Sequence, residues 1–98
     1  MEDKELKAKE ILGKAVEETI DFSKKTKAPI ADIAYQSHIE AGEKIMVYVL
    51  FDRIEDLQAM EENNLKDGFM EVFIKALTKY EFPFKGQPRL SFEFSINI

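Results

Sequence analysis

The chain has 98 residues and a mass of 11.4 kDa, which suffices for one domain over residues 1–98 but not for two separate cores. Apolar residues make up 45% and charged residues 34%, so the chain is expected to fold. The net charge of −5 argues against binding nucleic acid or an anionic membrane, because phosphates attract clustered cations. With no Cys and a single His, disulfides, cysteine zinc sites and most catalytic triads are excluded.

A long amphipathic helix is predicted at the start of the chain, over residues 3–26. The residues of its stripe recur at helical spacing, with Val16 and Ile20 widening it: Ala8, Ile11, Leu12, Ala15, Thr19 and Phe22. Pro29 excludes the helical conformation for Ala28, so the helix should end before that residue.

Two β-rich segments follow and predict a hairpin. Residues 30–39 and 44–52 flank a short turn, where Gly42 can adopt positive φ. Residues 45–51 are apolar without interruption. Both faces of that strand are therefore expected to be covered, either within the domain or by a partner.

A second helical region is predicted from Arg53 onward. Asp52 is a suitable N-cap, and Glu55 stands where a capping box needs an acid. Asn63 and Asn64 are poor helix formers, which favours two helices, with Asn64 as the N-cap of the second, over one kinked helix. The two apolar stripes are Ile54, Leu57 and Met60, and then Phe69, Val72, Phe73, Ala76, Leu77 and Tyr80.

The last predicted element is a strand over residues 89–98, whose apolar residues alternate with polar ones. The order α-β-β-α(α)-β makes the fold α+β. A right-handed crossover would place this strand beside the first, giving an antiparallel three-stranded sheet of order 2-1-3 packed against the helices. The helices would cover the face that holds Ile33, Tyr35, Val47, Val49, Phe92 and Phe94.

Met46, Tyr48 and Leu50 would then lie on the opposite face of the sheet. A contiguous apolar surface of this kind usually marks an interface. Two alternatives stay open: the N-terminal helix crosses this face and makes a three-layer domain, or the trio is the self-interface of a homodimer.

An acidic cluster follows the hairpin, and it could meet a basic protein partner. It consists of Glu55, Asp56, Glu61, Glu62, Asp67 and Glu71. Its spacing matches no calcium loop, and adjacent Glu61 and Glu62 splay about 100° apart on a helix, so no metal site or acid–base pair is predicted. The pattern is typical of a solvated helix face or of a patch that steers a basic partner.

No catalytic residue and no cofactor site are predicted, so the chain is not expected to be an enzyme. His38 lies roughly 20 Å along the strand from Asp32, the acid that shares its face, which makes it an ordinary polar residue. Phe92 and Phe94 alternate with Ser and Glu, which favours core packing over RNA stacking.

The leading hypothesis is a non-enzymatic, cytoplasmic protein-binding module that uses the acidic helix face and the Met46, Tyr48 and Leu50 surface. Inhibitors and immunity proteins that neutralise a basic toxin or nuclease share this size and charge, which is an analogy only. Two alternatives remain: a subunit or truncated fragment of a larger assembly, and a small-molecule carrier or small enzyme with a pocket between helices and sheet.

Overall fold

Three helices and three strands are present in the described part of the chain. The computed structural model describes the backbone of residues 2–38, 44–82 and 89–97, and the side chains of residues 6–36, 45–82 and 90–97. In chain order the elements are α1 (Glu2–Ser23), β1 (Asp32–His38), β2 (Lys44–Phe51), α2 (Ile54–Glu62), α3 (Lys66–Lys79) and β3 (Arg89–Ile96). The α+β class and the two helices after β2 are confirmed, whereas the predicted turn at Gly42 lies outside the described residues.

The strand β2 lies at the centre of the sheet, in the order β1-β2-β3. Val49 faces Ile33 across the antiparallel β1–β2 pair and Phe94 across the parallel β2–β3 pair. The predicted antiparallel sheet of order 2-1-3 is therefore wrong. A strand that is apolar on both faces belongs in the centre, and the α2–α3 connection returns the chain so that β3 runs parallel to β2.

One face of the sheet holds the core, and all three helices contribute to it. Alternate residues of β2 point into it and are at most 1% exposed: Ile45, Val47, Val49 and Phe51. Phe73 of α3 meets Phe92 of β3 edge to face, with ring centroids 5.6 Å apart. The face predicted to lie under the helices is confirmed, because its residues are buried in this core or packed against it.

The helix α1 lies on the same side of the sheet as α3. Its buried residues Ile11, Leu12 and Ala15 join the α3 residues in one core. Phe22 packs edge to face against Phe69 of α3, with ring centroids 6.0 Å apart. The described residues therefore form two layers, and the three-layer alternative does not apply to them.

The end of α1 is fixed by Ser23, which is fully buried. Its Oγ donates a hydrogen bond to the Ile20 carbonyl (2.7 Å) and accepts one from the Ile30 N–H (2.9 Å). The helix consequently ends at Ser23 rather than at residue 26, and the chain turns toward β1.

Replacing Ser23 with alanine is expected to lower the free energy of unfolding by about 1–3 kcal/mol, because the buried Ile30 N–H loses its acceptor. Urea unfolding measures this loss. Thr78→Ala is the matched control: its hydroxyl bonds to the Ile74 carbonyl at the surface, so the change should stay within about 0.5 kcal/mol. Equal losses for the two variants would contradict the role given to Ser23.

The helix α2 begins at Ile54, with Arg53 in the N-cap position and no side-chain cap bond. The prediction that Asp52 caps a helix starting at Arg53 is therefore wrong. The Arg53 carbonyl accepts the first helical bonds, from the N–H groups of Asp56 and Leu57. This places the cap one residue later than the sequence pattern indicated.

Asn64 ends α2 instead of capping α3. Its φ of 52° is left-handed, and its N–H donates to the Glu61 carbonyl (3.3 Å) while the Leu65 N–H donates to the Met60 carbonyl (2.9 Å). These two bonds form the Schellman motif that closes many helices. Leu65 occupies the N-cap position of α3, so the predicted cap is wrong: a residue at positive φ cannot adopt the extended cap conformation.

Candidate functional site

No described helix or strand covers the sheet face opposite the helices, here called the open sheet face, and the centre of this face is apolar. Met46, Tyr48 and Leu50 lie there, because they alternate along β2 with the buried residues. All three are half-buried, and none belongs to the core that the helices cover. The trio predicted as a self-interface is therefore uncovered in the described structure.

Polar residues of the neighbouring strands border this trio. The register places Glu93 beside Tyr48 on one side, and Asp32 and Ser95 on the two sides of Leu50. An apolar centre with a polar border is the usual layout of a protein interface. Asp32 and Glu93 are the acidic residues of this border.

A cleft of about 520 Å³ lies between the α2–α3 junction and β3. Its lining residues are Met60, Glu61, Asn64, Lys66, Asp67, Phe92, Glu93 and Phe94. Three of them are consecutive in β3. Because alternate side chains of a strand point to opposite faces, a cavity that touches all three lies at the outer edge of β3.

This cleft brings together two of the six acidic residues predicted from the sequence. Glu61 comes from the end of α2, and Asp67 from the first turn of α3. Glu93 of β3 and Lys66, which the sequence did not single out, also line it, so three carboxylates oppose one ammonium group. The lining is therefore net acidic above an apolar floor of Met60, Phe92 and Phe94.

The other four predicted acidic residues do not line this cleft. Glu55 lies 3.3 Å from Arg53, and Glu71 lies 2.9 Å from Lys75. The pKa of Glu55 is lowered by a backbone N–H bond and by Arg53, and the pKa of Glu71 is lowered by Lys75. Both pairs are exposed, so they contribute little to stability. Asp56 and Glu62 lie outside these pairs and outside the cleft.

A separate charged cluster joins α1 to α3. Lys79 Nζ lies 3.4 Å from Glu18 Oε1 and 5.0 Å from the centre of the Tyr80 ring. The Tyr80 hydroxyl and the Glu18 carboxylate raise the pKa of Lys79. Lys14 Nζ lies 4.8 Å from the same ring, so this cluster connects the two helices and has a structural role.

Metal and membrane features give no further site among the described residues. No group of three or more histidine or carboxylate side chains there is placed to hold a metal ion. None of the helices in the described part of the chain is long and apolar enough to cross a membrane. His38 pairs with Lys44 through its backbone, and its side chain is outside the described set.

Comparisons of the chain with protein-family models, with curated proteins and with solved structures return no match. The open sheet face and the cleft beside β3 are two candidate binding surfaces of the described residues. The first is apolar with a polar border, and the second is acidic with an apolar floor.

Proposed function

We propose that this chain is a non-enzymatic, cytoplasmic protein-binding module. A second copy covers the open sheet face, and a basic protein partner meets the acidic side of α2 and α3. The observation that carries the proposal is the uncovered position of Met46, Tyr48 and Leu50 on the central strand. The three side chains are half-buried, so a partner that covers them removes further apolar surface from water, and this favours association.

A second copy is the simplest occupant of this face, because a two-fold axis pairs the same patch on both chains. A different subunit covering the same face would make the chain part of a larger assembly. The carrier alternative has less support, because it requires a pocket that holds Tyr35 or Tyr48, and neither lines the cleft beside β3.

The methionine methyl groups report directly on which surface is covered. Met46 lies on the open sheet face, Met70 is half-buried on α3, and Met60 is 1% exposed in the core. In methyl NMR spectra with a dissolved gadolinium chelate, broadening of the Met46 signal is expected to fade as protein concentration rises. Met70 should stay broadened and Met60 sharp throughout. A Met46 signal that stays broadened at every concentration would contradict the proposal.

A further inference from the structure

The outer edge of β3 has hydrogen-bonding groups that no described strand uses. The Asn97 N–H donates to the Phe51 carbonyl (2.7 Å), in the parallel register that pairs Phe51 with Ile96. Along a strand, the backbone groups of successive residues point to alternate sides. Those of Glu93 and Ser95 therefore point toward β2, and those of Phe92 and Phe94 point away from the sheet.

The opposite edge of the sheet differs, because an acid partly blocks it. The same alternation directs the Ile33 N–H of β1 outward, where it donates to Asp32 Oδ1 at 2.8 Å. A carboxylate on an edge amide hinders an added strand. The β3 edge instead adjoins the cleft, which leaves space for side chains of an added strand.

The net negative charge of the cleft favours an added strand that carries basic side chains. Glu61, Asp67 and Glu93 outnumber Lys66 there. Lys66 Nζ lies 5.6 Å from the centre of the Phe94 ring, so the floor already accommodates one cation. A lysine or arginine of a partner can lay its aliphatic stem on the half-buried Phe94 ring and place its charge near the carboxylates.

We infer that the β3 edge binds an extended, basic segment of a partner protein, which adds to the sheet as a fourth strand. The backbone of the segment bonds to Phe92 and Phe94, and a basic side chain enters the cleft toward Glu61 and Asp67. This inference rests on the proposed function, since it specifies how a basic protein partner would bind. It does not require the second copy on the open sheet face.

The test uses two synthetic peptides as long as β3, one alternating lysine with valine and the other alternating glutamate with valine, each added to the full chain. Amide hydrogen exchange at Phe92 and Phe94 is expected to slow with the lysine peptide alone. The Glu93 and Ser95 amides should not change, because they already bond to β2. Unchanged exchange at Phe92 and Phe94, or an equal response to both peptides, would overturn the inference.

Charge reversal locates the binding site. The double variant Glu61→Lys/Asp67→Lys should weaken binding of the lysine peptide by roughly tenfold or more, since it replaces attraction by repulsion at two positions. Asp56→Lys/Glu62→Lys is the matched control, because it reverses the same number of charges on α2 at two residues that do not line the cleft. Equal weakening by both variants would show a general charge effect and overturn the assignment to the cleft.

The peptide test is repeated on Tyr48→Glu, which removes the proposed self-interface. Unchanged peptide binding by this variant is expected, because Tyr48 does not line the cleft. If the wild-type chain proves to be a monomer but still binds the peptide at β3, the self-interface fails alone. If the chain dimerises but the β3 amides do not respond, the inference fails alone.

Discussion

Tyr48→Glu is expected to raise the dissociation constant of the proposed dimer by roughly 30-fold or more, because charging a central aromatic residue of that interface would cost upward of about 2 kcal/mol. Tyr48 lies on the middle strand between Met46 and Leu50. Glutamate there would be desolvated in an apolar contact and repelled by Glu93, which the register places beside it. Sedimentation equilibrium over a range of protein concentrations gives the constant.

Three control variants distinguish a specific loss of the interface from an effect of misfolding or of changed net charge. Tyr48→Phe keeps the ring and should keep the dimer. Gln58→Glu adds the same charge at an exposed position of α2 and should also leave it intact. Tyr48→Lys changes the net charge in the opposite direction but should dissociate the dimer like Tyr48→Glu. A dimer that survives both charged variants at Tyr48 would remove this face as the interface.

The fold of the Tyr48 variants should persist, because this residue is outside the core. A charged residue in a central strand position lowers the free energy of unfolding by up to about 1 kcal/mol. Urea unfolding and far-ultraviolet circular dichroism establish that each variant is folded before its dimerisation is measured. A variant that unfolds would be replaced by Tyr48→Thr, which keeps a β-branched residue there while removing the ring.

Phe73→Ala is expected to lower the free energy of unfolding by about 3–5 kcal/mol, the usual cost of removing a buried aromatic ring. Phe73 is fully buried and packs edge to face on Phe92, so its loss leaves a cavity between α3 and β3. The total free energy of unfolding of a domain of this size is typically about 5–15 kcal/mol, so this variant would lose a large share of its stability. Urea unfolding at constant pH gives the value.

The neighbouring residue Ile74 is the control for Phe73. It lies on the same helix but is 42% exposed. Ile74→Ala should therefore change the free energy of unfolding by less than about 1 kcal/mol. A loss at Ile74 as large as that at Phe73 would contradict the placement of the core on the sheet side of α3.

Local sequence patterns predicted most elements, because helix and strand periods depend on neighbouring residues. The stripe of α3 identified the side of that helix that enters the core, and the alternation of β3 identified the partly buried side that packs against it. The caps were less predictable. Asp52 and Asn64 both have suitable side chains for an N-cap, but backbone geometry placed the caps at Arg53 and Leu65.

The sheet order could not be derived from local patterns, because it depends on how the α2–α3 connection returns the chain. The uninterrupted apolar run of β2 indicated a strand covered on both faces, and it could have suggested the central position that β2 takes. With β3 placed beside β1, Glu93 had no reason to be associated with Glu61 and Asp67. The cleft follows only once β3 is known to pair with β2 instead of β1.

The most direct test of the self-interface is the solution mass of the wild-type chain, measured by light scattering at about 50 mM and about 500 mM salt, which changes the screening length severalfold. An apolar contact through Met46, Tyr48 and Leu50 predicts twice the chain mass of 11.4 kDa at both salt concentrations. A mass of one chain at both concentrations, or a dimer that high salt dissociates, would contradict it.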